Sequence, residues 1–213
     1  MKLADETCGN FVGVLASKAA APGGGGASAI VGSIGMALGS MVCNLTIGKK
    51  KYAQYDEKIR GILKRAACLQ KELLELVDED AECFLPLSKA YGMPKETEEE
   101  KRLKFETLEK CLKKACTVPV NILKKAYEAI KLHEALVDNC SKLAISDVGV
   151  GVQCLKAAII GAQLNVIINI NSIKDEEYVR KIKLETEPLV EDGIEVADRV
   201  YKKVLSKLCK SQF

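Results

Sequence analysis

APGGGGASAIVGSIGMALGSMVCNLT, residues 21–46, is the stretch whose reading decides the fold. Pro22 and four glycines (Gly23, Gly24, Gly25 and Gly26) open it, and no charged residue follows from Ala27 to Cys43. Ile30, Val31, Ile34, Met36, Leu38, Met41 and Val42 are spread around every side of a 3.6-residue helix, so its neighbours must enclose it. Ser28, Gly32, Gly35, Gly39 and Ser40 fall at three- and four-residue spacings and let another backbone pack close. Lacking Cβ atoms, the four glycines predict a loop that takes φ > 0 and approaches another group closely. Where such a loop enters a helix, unpaired N–H groups at the positive end of the macrodipole can receive an anion or a carbonyl oxygen. The stretch therefore predicts a central buried helix with a functional loop at its N-terminus.

Other readings of the stretch are a plain flexible loop before a core helix and a transmembrane span. Its length admits a span, but the rest of the chain is amphipathic and soluble in character, so no membrane partner is expected. A signal peptide fits poorly, because the apolar run starts late and no compact basic segment precedes it. No Gly-Lys pair follows these glycines at the P-loop spacing, which rejects a nucleotide P-loop.

The 213 residues are most simply one domain, residues 1–213, long enough to bury a substantial core. The 32 basic and 29 acidic residues nearly balance at a net charge of +3, which gives no case for nucleic acid. With 5% aromatic residues and no Trp, stacking platforms for bases are also scarce. The nine cysteines are odd in number and form no CxxC pair, so they read as reduced thiols of a cytoplasmic protein. His133 is the single histidine, so neither a metal site nor a metal cofactor is expected.

In chain order, a first helix is expected from an Asp5 N-cap to Ala20, with Phe11, Val12, Leu15 and Ala19 on its apolar face. After the central helix, Gly48 ends the apolar run and Lys49, Lys50 and Lys51 follow. They read either as the usual complement of a helix C-terminus or as a cationic rim for an anionic substrate. A long helix should run from about Tyr55 to Tyr91, kinked or interrupted at Pro86. Within it, Asp80 precedes Phe84 by four residues, which puts a carboxylate on the face of an expected core aromatic. Burial would raise its pKa, so Asp80 is the first acid–base candidate; a helix carboxylate with a Lys partner is the alternative. A charged amphipathic helix follows, and Pro119 is expected to begin another through Leu136. His133, on that helix, has no companion ligand.

The second informative stretch is NCSKLAISDVGVGVQCLKAAIIGAQLNVIININ, residues 139–171. Ser146 and Asp147 followed by Gly149 and Gly151 look like the start of a second apolar helix. Asn165 and Asn169, four apart, share one of its faces, and buried amides need partners. They would either stitch a helix interface or recognise a flat heterocycle. The last segment, from Asp175 to Cys209, is expected to be a long amphipathic helix pair kinked near Pro188 or Gly193. No strand pattern or internal repeat is present. The expected fold is all-α, a multi-helical bundle around two glycine-punctuated apolar helices near 27–45 and 151–170. Two such helices in a small chain suggest more buried surface than a monomer supplies, and hence a homodimer.

APGGG, MVCNLTIGKKKY, VDEDAECF, ISDVGVG and GAQLNVIIN, in this order and spacing, resemble the formiminotetrahydrofolate cyclodeaminase family, which includes stand-alone bacterial methenyltetrahydrofolate cyclohydrolases. The resemblance covers nearly the whole chain. One departure is that Gly26 stands where the family usually has the serine of PGGGS, with Ser28 two residues later. The resemblance implies an all-helical, dimeric enzyme acting on the one-carbon bridge between N5 and N10 of tetrahydrofolate, without a cofactor. It would either hydrolyse 5,10-methenyltetrahydrofolate to 10-formyltetrahydrofolate or close 5-formiminotetrahydrofolate with loss of ammonia. Asp80 or Asp147 would be the acid–base residue, the other positioning the pterin or the nucleophile. Residues 22–26, Ser28, Ser146, Asn165 and Asn169 would hold the folate, and Lys49, Lys50 and Lys51 would meet its glutamate or polyglutamate carboxylates. A non-catalytic helical folate-binding or scaffold protein is the rival from another class.

Overall fold

The computed structural model describes residues 2–209 and shows an all-helical chain. Six α-helices follow one another: α1 Cys8–Leu15, α2 Gly24–Asn44, α3 Asp56–Tyr91, α4 Glu98–Leu136, α5 Ile145–Ile170 and α6 Glu176–Cys209. Short 3₁₀ turns precede α1, α3 and α5.

Helix α2 is the axis around which the others are placed. It lies antiparallel to α5, with Gly24 beside Asn165, Gly32 beside Ala158, and Gly35 beside Gly151 and Leu155. It also runs antiparallel to α3: Gly25 meets Asp80, Gly32 meets Leu73, and the Ser33 hydroxyl donates to the Gln70 carbonyl at 3.3 Å. Helices α4 and α6 close the bundle, α4 packing on α3 and α5, and α6 on α4 and α5. The core is aliphatic: Met36, Leu69, Leu73, Ile122, Leu123, Leu155 and Ile159 are fully enclosed.

At the α2–α5 crossing the backbones nearly touch. A Cβ on Gly35 would lie 2.8 Å from the Gly151 carbonyl oxygen. The crossing also holds His133 of α4, so close that a Cβ on Gly151 would sit 2.5 Å from its Nε2 and one on Gly39 2.8 Å from its Cε1. The imidazole is fully buried. Its Nδ1 donates to the Ala129 carbonyl at 3.0 Å, while Nε2 is left without a hydrogen-bond partner. Burial pulls its pKa down to about 4 against the opposing pull of nearby backbone carbonyls, so it is neutral.

Several expectations are corrected. Helix α1 starts at Cys8 behind a Thr7 cap, not at Asp5, and buries only Phe11 while Val12 stays exposed. Pro86, Pro119 and Pro188 all lie inside continuous helices, so Pro119 begins no helix and the last segment is one helix, not two. Both flanks of Pro119 are buried (Cys116, Val118, Val120, Ile122), and that packing outweighs the roughly 3 kcal/mol cost of an interior proline. Ser146 and Asp147 do not cap α5, which begins behind Ala144. The 23–26 glycines do not adopt positive φ. Among the described residues only Gly48 does, at φ 79°, where the chain turns out of α2.

Candidate functional site

The glycines open α2 directly: Gly23 is its N-cap, with φ −124°, and Gly24, Gly25 and Gly26 form its first turn. The first intrahelical bond is donated by Ala27 to Gly23, so the N–H groups of all three glycines precede the ladder. Gly26 donates to Asp80 Oδ2 at 2.9 Å. The role of Gly25 is space, since a Cβ there would sit 2.2 Å from Asp80 Oδ1. The carboxylate of α3 thus lies flat on a helix N-terminus that only glycine leaves open.

Asp80 is largely desolvated. Burial raises its pKa, and the Gly26 N–H opposes that rise without cancelling it. It borders a cavity of about 300 Å³, whose lining includes Gly23, Gly24, Gly25, Asn165 and Asn169. This volume is at the lower end of small-molecule sites. The apolar wall comes from Phe84, Leu87 and Tyr91, which continue the Asp80 face of α3, with Pro119 of α4 and Ile168 of α5. Phe84 is 38% exposed, so it is a cavity wall and not the core aromatic expected from its spacing. The 80–84–87–91 spacing itself carried that signal. A larger surface depression of about 650 Å³ along α6 is lined mostly by charged side chains such as Asp175, Arg180 and Lys181.

Both asparagines face this cavity from α5. Asn165 Nδ2 donates to Gly161 at 2.8 Å and Asn169 Nδ2 to the Asn165 carbonyl at 2.7 Å. Each amide oxygen then remains as an acceptor for a ligand N–H. Pro22 is buried against Gly26. Ser28 is turned away from the cavity: its hydroxyl donates to the Gly24 carbonyl at 2.7 Å and fills the space beside Gly161.

The other predicted residues lie at the opposite end of the bundle. With 1.5 Å rise per residue, α2 separates Gly24 from Asn44 by roughly 30 Å, and α5 separates Asp147 from Asn165 by roughly 27 Å. Lys49, Lys50, Lys51, Ser146 and Asp147 therefore do not reach the Asp80 cavity of their own chain. Lys49 Nζ donates to Ser141 Oγ at 3.0 Å, and Lys51 sits over the Tyr52 ring.

This all-helical chain is similar in sequence and fold to proteins of one known class. Residues 7–188 match the family described as formiminotransferase-cyclodeaminase, and the chain belongs to that family. It is 38% identical over 204 residues to the methenyltetrahydrofolate cyclohydrolase of Methylorubrum extorquens, covering 96% of this chain and 98% of the relative. It is 33% identical to the formimidoyltransferase-cyclodeaminase of Gallus gallus, of whose length it spans 38%. The crystal structure of formiminotetrahydrofolate cyclodeaminase from Thermotoga maritima superimposes with a TM-score of 0.83 at 25% identity, covering the whole of both chains.

Proposed function

We propose that this chain is a methenyltetrahydrofolate cyclohydrolase, interconverting 5,10-methenyl- and 10-formyltetrahydrofolate, with Asp80 as its acid–base residue. The observation that carries the reading is the half-buried Asp80 carboxylate held on the Gly26 N–H beside a cavity with a largely apolar wall. The near end-to-end similarity to a cyclohydrolase, covering 96% of this chain and 98% of that one, supports it.

The methenyl bridge is an amidinium-like cation, so its carbon accepts water without a metal to polarise it. Asp80 takes a proton from the attacking water as the C–O bond forms. The resulting tetrahedral centre collapses when the protonated Asp80 returns that proton to N5. The N5–C bond then breaks and the formyl group stays on N10, while the second proton of the water is released to solvent. A carboxyl whose pKa is raised toward the working pH suits both transfers, which contribute on the order of 10²- to 10⁴-fold. The Asn165 and Asn169 amide oxygens would accept from pterin N–H groups, and the glycine amides would face developing negative charge.

The test is loss of methenyl absorbance with purified protein. Enzyme-dependent loss well above the spontaneous rate that disappears in Asp80→Asn supports the reading; equal rates in both proteins sink it. The cyclodeaminase is the second reading, favoured by the Thermotoga maritima match. It predicts the same chromophore appearing from 5-formiminotetrahydrofolate together with ammonia. The nine cysteines suit a cytoplasmic enzyme that works with its thiols reduced.

A further inference from the structure

The Asp80 cavity is polar at one end and apolar at the other. Helices α3 and α5 both run antiparallel to α2, so they run parallel to each other and pass the start of α2 in the same direction. At the polar end, Asp80 of α3 lies beside Gly25 and Asn165 of α5 beside Gly24. About one turn further out, Phe84 and Ile168 line the same cavity from these two helices. Both are exposed, Ile168 by as much as 68%, although the space they line is concave. Tyr91, also exposed, stands two further turns along α3. Apolar surface left in water is unfavourable in proportion to its area, and an apolar group that enters between these side chains recovers that free energy.

The proposed reaction fixes which part of a folate meets them. The carbon under attack must lie at Asp80, and it is bonded to N10, which carries the p-aminobenzoyl ring. That ring begins two bonds from the reacting carbon and falls within one helical turn of it, about 5.4 Å. On α3, one turn beyond Asp80 is Phe84. The pterin, on the N5 side, carries N–H donors and a carbonyl. Its partners are the Asn165 amide oxygen and the N–H groups of Gly24 and Gly25, which precede the α2 ladder. The reverse orientation would set that polar edge between Phe84 and Ile168 and leave its donors unpaired. Tyr91 is roughly 16 Å from Asp80 along α3, beyond the ring and level with the glutamate.

We infer that Phe84 and Ile168 clamp the p-aminobenzoyl ring and are specificity-determining residues of the site, an inference that rests on the folate reading. Phe84 offers an aromatic partner for offset or edge-to-face packing, and Ile168 an aliphatic one across the ring. Holding the ring fixes N10, and with it the bridge carbon, against a carboxylate that the Gly26 N–H already holds in place. Binding free energy from a group that does not react is thus used for orientation. Its loss lowers kcat as well as raising KM.

Competitive inhibition of methenyltetrahydrofolate turnover by three compounds tests it. The first, 6-methyltetrahydropterin, holds the pterin alone; tetrahydropteroate adds the aryl ring, and tetrahydrofolate adds the glutamate. Tetrahydropteroate should bind the wild-type chain at least tenfold more tightly than 6-methyltetrahydropterin. Phe84→Ala should cut that advantage below threefold, lower kcat, and leave inhibition by 6-methyltetrahydropterin within twofold of wild type. Ile168→Ala should lose at least threefold of the same advantage, and Phe84→Tyr, which keeps the ring, should retain it. Asn165→Ala should weaken all three compounds alike. Should Phe84→Ala fail to fold, Phe84→Leu set against Phe84→Tyr gives the same comparison with the space still filled. A Phe84→Ala protein that keeps the tenfold advantage, or that loses pterin binding in equal measure, overturns the clamp. So does an advantage that appears only with tetrahydrofolate, since it then belongs to the glutamate. A wild-type chain that neither turns over methenyltetrahydrofolate nor gains melting temperature from tetrahydrofolate overturns the folate reading itself. An active wild type with an unmoved Phe84→Ala overturns the clamp alone.

Discussion

Helix α2 uses glycine twice, and the two uses differ in what a methyl group would strike. At its first turn, a Cβ on Gly25 would hit the carboxylate of Asp80, a charged group beside a cavity. Half the helix further on, a Cβ on Gly35 would hit the Gly151 carbonyl, and His133 closes the crossing from α4. The first gap keeps a titratable group against N–H donors and a ligand-sized space. The second brings two backbones together around a histidine kept neutral by burial. Chemistry is expected at the first and stability at the second, and substitutions should separate them.

The largest effect belongs to the first gap. Gly25→Ala should displace the Asp80 carboxylate and Asp80→Asn should remove its proton, each lowering turnover by about 10²- to 10⁴-fold. Both variants should melt cooperatively, near or above the wild-type temperature. A Gly25→Ala protein that stays active would show that the carboxylate works from another position.

His133 carries the next effect, and its sign follows from its lowered pKa. Unfolded, the imidazole titrates near 6.5; folded, at about 4. Its contribution is complete above the unfolded value and is lost as pH falls through the folded one. Between the two, stability should decline by up to about 1.4 kcal/mol per pH unit. Melting curves from pH 7.5 to 4.5 should show this acid limb, and it should flatten in His133→Gln. Folate turnover per folded molecule should be unchanged at pH 7.5. At the same crossing, Gly151→Ala should destabilise by roughly 1–3 kcal/mol, as overpacking does, and leave KM alone. A catalytic defect larger than its folding defect would mean that the crossing transmits strain to the cavity.

The same contrast marks what could be read in the sequence. Helix α2 was legible because its charge-free run and glycine spacing leave few alternatives, and α3 because its apolar period runs unbroken to Tyr91. Asp80 was legible as a carboxylate on an apolar face. Phe84 was misread because helical periodicity marks an inward face without telling a core from a cavity. Pro119 was misread because its local penalty is visible in sequence while the packing on both its flanks is not. Of the two properties expected of the four glycines, close approach to another group holds and positive φ does not; that the group approached is Asp80, 54 residues from Gly26, is not visible in local sequence. Nor does sequence order say that Lys49–Lys51 and Asp147 lie at the far end of long helices from Asp80. That separation comes only from the antiparallel register of α2 and α5.

The smallest predicted effect is also the one that ties the first gap to function. Asp80 has a folded pKa above its unfolded one, chiefly through burial. Below the unfolded value, near 3.9, both states hold the proton and nothing is lost. As pH rises through the folded value, the unfolded chain releases the proton more readily, so the folded state loses stability and remains handicapped at neutral pH. Asn carries no such proton, and its amide oxygen can still accept from the Gly26 N–H. Asp80→Asn should therefore be more stable than wild type at pH 7, by roughly 0.5–2 kcal/mol, the usual gain from relieving an active-site group. The gain should shrink toward pH 4. Paired melting curves at pH 7 and pH 4 decide it. A gain independent of pH would assign the effect to packing, and a loss at pH 7 would mean that the Gly26 N–H stabilises the carboxylate more than burial opposes it.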